Sequence, residues 1–218
     1  WICSRQSVLE TVARQAADAD LALIEGVMGC FDGTDGKSEE GSTAQVAKWL
    51  GAPVVLVADA RAMARSGAAV VLGFERFDPD LPIAGVIWNR VSGETHARWL
   101  DDALQEHCRA LPLGWLPREE ALALPERHLG LVTARERRLT PEFLEALVAA
   151  IKKRFDLDRL LSLAKSSVSP RVDAEGAAGE SKDRVPAAQM PGVPRGRAPV
   201  AKTKIGVSLD EAFQFYYP

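Results

Sequence analysis

The stretch Ala52-Pro53-Val54-Val55-Leu56-Val57-Ala58-Asp59-Ala60 decides the fold class. From Val54 to Ala58 the side chains are all apolar, with no polar residue at alternate positions. A strand with one wet face alternates; a strand covered on both faces does not, and such strands belong to parallel sheets with helices packed on each side. The flanking segments carry the matching periods. Residues 42–50 read as a helix before this strand, 63–74 as a helix after it, and 83–88 as the next strand. A helix over 94–108 and a short strand over 113–116 follow. Upstream, Val8, Leu9, Val12, Ala13 and Ala16 recur at helical spacing, and Leu21-Ala22-Leu23-Ile24 reads as a buried strand. The class is α/β, a mostly parallel sheet with helices on both faces. Ser42 with Gln45 fits a capping box, and Gly51 sits where a helix end takes a left-handed residue. Thr140-Pro141-Glu142 reads as N-cap, N1 proline and early acidic residue of a helix reaching Arg154.

The chain has 218 residues with 47% hydrophobic and 26% charged content, enough for one core and the start of another. A formal charge of −3 leaves no basic excess for a nucleic-acid backbone or an anionic membrane, and both drop out as partners. Cys3, Cys30 and Cys108 are far apart and odd in number, which argues against a disulfide framework or a zinc knuckle and for a reducing cytoplasm. No apolar run approaches the ~18–20 residues needed to span a bilayer. The chain begins at Trp1 and ends at Pro218 just after a strand-like run, so both ends read as cuts in a longer protein.

From Ser166 to Thr203 there are five Pro, four Gly and four Ser, with no aromatic, Leu or Ile. Such a segment cannot build a core and reads as a flexible linker. Strand character resumes at Lys204-Ile205-Gly206-Val207. The expected organisation is a main domain over 1–165, a linker over 166–203 and the start of a second domain over 204–218.

In an open parallel sheet, ligands bind beyond the carboxyl ends of the strands. The first such place holds Glu25 and a glycine-rich loop (25–33, EGVMGCFDG). The second holds Asp59 and the third Asn89-Arg90. Gly33-Thr34-Asp35-Gly36-Lys37-Ser38 imitates a phosphate loop, but the position five before Gly36 is Phe31, and Asp32 and Asp35 would repel phosphate. If the protein is an ATPase, the phosphate-binding lysine is expected upstream of Trp1.

Six ordered motifs resemble the cobyrinic acid a,c-diamide synthases: EGVMGCFDG (25–33), SEEGSTA (38–44), APVVLVADA (52–60), GVIWNRV (85–91), LPERHLGL (124–131) and DEAFQFYYP (210–218). The resemblance implies a P-loop NTPase-like amidoligase domain, similar to dethiobiotin synthetase, here without its phosphate loop. It also implies a following triad-type glutaminase domain, of which only the first strand would be present. The implied reaction is ATP- and glutamine-dependent amidation of the a and c carboxylates of a corrin. ATP phosphorylates a carboxylate and ammonia from glutamine displaces the phosphate, with Mg²⁺ neutralising the phosphate oxygens. The chain alone is expected to be inactive, and the parent enzyme to be cytoplasmic; a homodimer is compatible with the resemblance.

By the same resemblance Glu25 is a metal ligand and catalytic residue, and Asp32 lies at the reacting carboxylate as a catalytic and substrate-binding residue. Asn89 reads the adenine edge, where an amide offers both donor and acceptor. Ser42 and Thr43 are candidate substrate contacts, although a capping role accounts for Ser42. Asp59 is expected as an N-cap or structural carboxylate. His96 and His107 read as solvated helix positions, and His128 sits in a motif with no assigned role. Cys30 stands where leucine is expected and reads as a small packing residue. The glutaminase cysteine and histidine are expected beyond Pro218. Rival readings are an amidating enzyme acting on a nickel tetrapyrrole, hydrogenobyrinic acid as substrate, and a partitioning-type ATPase.

Overall fold

The computed structural model describes residues 3–26, 28–122, 140–166 and 205–206. His128, the motif at 124–131, nearly all of the expected linker and the segment 210–218 lie outside the described residues. The elements run α1 (Arg5–Gln15), β1 (Leu21–Ala22), α2 (Thr43–Leu50), β2 (Val54–Asp59), α3 (Arg65–Phe77), β3 (Ile83–Val91), α4 (Glu94–His107), β4 (Leu111–Pro117), α5 (Pro141–Arg154), α6 (Leu157–Ser166) and β5 (Ile205–Gly206). A three-stranded parallel sheet has the order β2-β3-β4. Its strands are joined through α3 and α4, as parallel neighbours require. No helix among the described residues is long and apolar enough to cross a membrane.

β3 is central, and Val86, Trp88 and Val91 on it are fully buried. Trp88 explains how α3 and α4 lie on the sheet. Its indole Nε1–H donates to Asp101 of α4 at 2.9 Å, and its ring lies so close to α3 that a Cβ at Gly67 would meet it at 3.2 Å. Burial pushes the Asp101 carboxyl up despite that hydrogen bond. Glu75 of α3 is a second tie: only 4% exposed, it accepts the backbone N–H of Arg109 at 2.9 Å and of Ala110 at 2.7 Å. It thereby pins the turn between α4 and β4 to α3.

The expected alternation is present, with informative departures. Leu21 to Ile24 is not a buried strand: only Leu21–Ala22 pair, with β5, and Leu23 and Ile24 are 77% and 51% exposed. Apolar side chains mark a strand only where a neighbouring edge and a covering layer meet them, and β5 offers two residues of edge. β2 is covered on one face only. Val54, Leu56 and Ala58 pack on the core, whereas Val57 is 67% exposed. Residues 205–206 pair in parallel with β1.

α3 starts at Arg65 rather than at Met63, because Ala62 has a left-handed φ of 58° that holds the chain out of helix. β3 continues past Trp88 to Val91 through polar Asn89 and Arg90, and the register with β4 shifts between Trp88 and Val91. Arg90 has φ 58°, so this is a bulge. Ser42 caps α2, its Oγ accepting from Gln45 N at 3.1 Å, and Gly51 is left-handed at φ 59°. The capping box is not reciprocal: Ser42 N is taken by Glu39 O, so Gln45 Oε1 accepts from Gly41 N instead. Thr140 caps α5 and Pro141 opens it as expected, and α6 follows without having been anticipated.

Candidate functional site

The glycine-rich loop and the start of α2 form one unit. Glu25 is exposed three residues past β1, with no hydrogen-bond or ion-pair partner among the described residues. The next residue, Gly26, lies against Thr43 so closely that a Cβ there would meet Thr43 Cγ2 at 2.5 Å and Oγ1 at 3.0 Å. Further on, Ala44 N donates to Cys30 O at 2.9 Å and Thr34 N to Glu40 O at 2.8 Å. Phe31 anchors the loop, its ring centroid 5.3 Å from that of Phe74 and 4.6 Å from that of Phe77. Thus the backbone at Gly26, one residue after Glu25, rests on Thr43 at the start of α2. Asp32 Oδ2 accepts from Gly29 N at 3.1 Å, which ties the carboxylate to its own loop. Ser42 is 1% exposed and its oxygen is used in the cap. Burial, and next the charge of Asp78, push the Cys30 thiol up, which suits a packing residue.

Residues 33–38 are closed to phosphate. Asp35 Oδ1 accepts from Lys37 N at 2.7 Å, Ser38 N at 2.8 Å and Ser38 Oγ at 3.2 Å. These bonds hold its carboxyl below the ordinary range. The side chain occupies the backbone donors that a phosphate would need.

The strand ends form a second unit. Asp59 and Asn89 are register partners across β2 and β3, and both lie inside their strands rather than after them. Ala60 N donates to Asn89 O at 2.9 Å, and Arg118 N donates to Val91 O at 3.1 Å, so the loops leaving β2 and β4 are both stitched to β3. Asn89 Oδ1 accepts from Arg90 N at 2.9 Å, and its amide N–H groups have no partner among the described residues. Asp59 accepts from Arg61 N at 3.0 Å and from Arg90 Nη1 at 2.9 Å. Its carboxyl is held low first by the Arg61 amide and then by the charges of Arg90 and Arg61. This is the structural carboxylate expected from sequence.

His96 is not a solvated helix position. Its Nδ1 accepts from Ser92 N at 3.1 Å while Nε2 faces Met63 O, so the ring braces the loops after β2 and β3. The sequence signal was there in Ser92 four residues before it, but Met63 is a tertiary partner. His107 lies 3.2 Å from Arg65. No hydrogen bond or ion pair joins Asp32 to Asn89 among the described residues; the two units meet through the apolar core cluster, which includes Ala60 and Trp88 and against which Cys30 and Phe31 pack.

No group of three or more His, Cys, Asp or Glu able to hold a metal occurs among the described residues. Magnesium is often held by one or two carboxylates together with water and nucleotide phosphates, so a single free carboxylate such as Glu25 fits that mode.

A parallel sheet flanked by helices, with polar groups collected at its carboxyl edge, defines a P-loop NTPase-like α/β domain. The family model described as "AAA domain" matches residues 4–126, and the chain belongs to this family. Among curated proteins, the chain is 43% identical over its full length to a cobyrinate a,c-diamide synthase of Syntrophotalea carbinolica, covering 44% of that protein. It is 41% identical over 94% of its length to one of Salmonella typhimurium, covering 41% of it. It is 39% identical over its full length to one of Archaeoglobus fulgidus, covering 43% of it. The resemblance read from the six motifs is borne out. The chain spans less than half the length of these relatives, 41–44%. No solved structure matches it.

Proposed function

We propose that the chain is part of a glutamine-dependent carbon-nitrogen ligase that uses ATP to amidate the a and c carboxylates of cobyrinic or hydrogenobyrinic acid in cobalamin biosynthesis. The observation that carries this reading is the similarity, along the whole of this chain and at 43% identity, to part of a cobyrinate a,c-diamide synthase. The close approach of Gly26, next to Glu25, to Thr43 and the pairing of Asp59 with Asn89 at the ends of β2 and β3 are consistent with it. Residues 1–165 would bind ATP, 166–203 link, and 204–218 lead into a glutaminase domain, with β5 set against β1 at the junction.

In this reading a substrate carboxylate oxygen attacks the γ-phosphorus of ATP, releasing ADP and forming an acyl phosphate. Ammonia released from glutamine then attacks the acyl carbon, the C–O bond to phosphate breaks, and the amide and inorganic phosphate leave. Glu25 would hold Mg²⁺, which when bound supplies positive charge against the phosphate oxygens. Asp32 would stand at the reacting carboxylate and Thr43 would donate to it, with Ser42 holding Thr43 at the first position of α2. Asn89 would donate its free amide N–H to the adenine edge. The test is the full-length protein incubated with ATP, glutamine and cobyrinic, hydrogenobyrinic or nickel-containing tetrapyrrole acid, with products weighed by mass spectrometry. A diamide from a cobyrinic or hydrogenobyrinic acid is expected. Turnover of the nickel tetrapyrrole alone would replace the substrate, and ATP hydrolysis with no amide from any acid would overturn the reading.

A further inference from the structure

We infer that the cavity at the carboxyl ends of β2, β3 and β4 docks a flat conjugated ring bearing at least two carboxylates. On the proposed function, on which this rests, these are peripheral carboxylates of the acid substrate away from the reacting ones. The cavity is open, of about 330 Å³, and its walls include Arg61, Arg90, Ser92, His96, Trp99 and Arg118. That volume lies at the lower end of small-ligand sites, suited to one edge of a larger ring.

The charge balance is uneven. Arg90 and Arg61 share one carboxylate, Asp59 Oδ2, at 2.9 and 3.8 Å. Arg118 has no carboxylate partner among the described residues, while its backbone bond to Val91 O holds it at the rim. His96 is engaged on both ring nitrogens, Nδ1 with Ser92 N and Nε2 with Met63 O. Three guanidinium groups against one carboxylate leave a deficit of negative charge, and guanidinium forks pair best with carboxylates or phosphates. Trp99 lines the same cavity and is 56% exposed, a large indole that a conjugated ring would cover.

The backbone is held in this form at a cost. Among the described residues three non-glycine residues have positive φ, and two of them, Ala62 and Arg90, line this cavity. Strain of this kind persists where surrounding structure imposes it, often at binding sites. Here it turns Arg90 towards Asp59 and sets the loop that carries Arg61. A nucleobase is the weaker occupant. Reading a base edge needs free donors and acceptors, yet both nitrogens of His96 are engaged, Ser92 Oγ lies 3.0 Å from His96 Nδ1, and Asn89 does not line the cavity.

The experiment uses the full-length enzyme with cobyrinic acid and ATP varied separately, and uroporphyrin I, a planar octacarboxylate, as an inhibitor beside its octamethyl ester. Arg118→Gln is expected to raise KM for cobyrinic acid and Ki for uroporphyrin roughly 10-fold or more, with KM for ATP and the melting temperature unchanged. Arg118→Lys should recover part of the loss, and the ester should not inhibit. Unchanged KM for cobyrinic acid in Arg118→Gln, or a rise in KM for ATP instead, would overturn the inference and leave the proposed function standing. A wild-type enzyme that does not amidate cobyrinic acid would defeat the proposed function, whereas uroporphyrin binding lost in Arg118→Gln would still support the cavity's preference.

Discussion

Arg90 Nη1 lies 2.9 Å from Asp59 Oδ2, although the register partner of Asp59 on β3 is Asn89 and not Arg90. The bulge makes the pair: a left-handed Arg90 brings its side chain back across the ladder. Asn89 is thereby held at the strand edge, its carbonyl oxygen bound by Ala60 N and its side-chain oxygen by Arg90 N.

From this placement, Asn89→Ala in the full-length enzyme should raise KM for ATP by roughly 10-fold and narrow the preference for ATP over GTP, with kcat little changed. Steady-state kinetics with both nucleotides decides it. An unchanged ATP to GTP ratio would remove Asn89 from the base site.

Glu25→Gln should abolish amide formation while glutamine hydrolysis persists, since a neutral amide is a far weaker ligand for a hard divalent cation. Mass spectrometry of the corrin and a glutamate assay read the two activities separately. Ordinary turnover at low Mg²⁺ would contradict the assignment.

Gly26→Ala should destabilise the protein by about 1–3 kcal/mol, because a Cβ there would meet Thr43 Cγ2 at 2.5 Å. Thr43→Ser removes that methyl group. The double variant should recover stability in denaturant unfolding, a coupling that two independent sites would not show.

Glu75→Ala should cost about 2–4 kcal/mol, since the Arg109 and Ala110 N–H groups would lose the buried acceptor they share. Glu75→Gln keeps an oxygen at that place and should cost less. Chemical denaturation of the two variants orders them.

Lys48 Nζ of α2 lies 2.9 Å from Asp78 Oδ2 at the end of α3 and also binds Glu39. The hydrogen bond from Lys48 holds the Asp78 carboxyl below the ordinary range. A carboxyl lowered by folding contributes stability above its unfolded value near ~4, and loses it as pH falls through the folded value. Acid titration of stability should therefore be shallower in Asp78→Asn, by about 0.5–1 kcal/mol across that window. Equal acid slopes would show that the pair carries no net stability.

Much of the fold was legible because it rests on local signals. Ser42, Gly51, Thr140 and Pro141 act within a turn of their own position, and each does in the structure what its chemistry suggests. The failed phosphate-loop pattern was legible too, and Asp35 supplies the physical reason by binding the amides itself. The polar pair Asn89-Arg90 concealed the end of β3, because a bulged strand edge has no hydrophobic signature. The role of His96 was hidden for a different reason: its acceptor, Met63 O, comes from a segment 33 residues away.

The sequence by itself determined the α/β class, the positions of the helices and strands around residues 42–117, and the family, since apolar runs, caps and ordered motifs are written along the chain. Only the tertiary structure decided that Leu23, Ile24 and Val57 stay exposed, that Gly26 rests on Thr43, and that Arg61, Arg90 and Arg118 meet around one cavity. Burial and side-chain convergence depend on which surfaces pack in three dimensions. Three arginines, Arg90 at the end of β3 and Arg61 and Arg118 just after β2 and β4, share no spacing in the chain; they meet because parallel pairing aligns the carboxyl ends of β2, β3 and β4 on one edge.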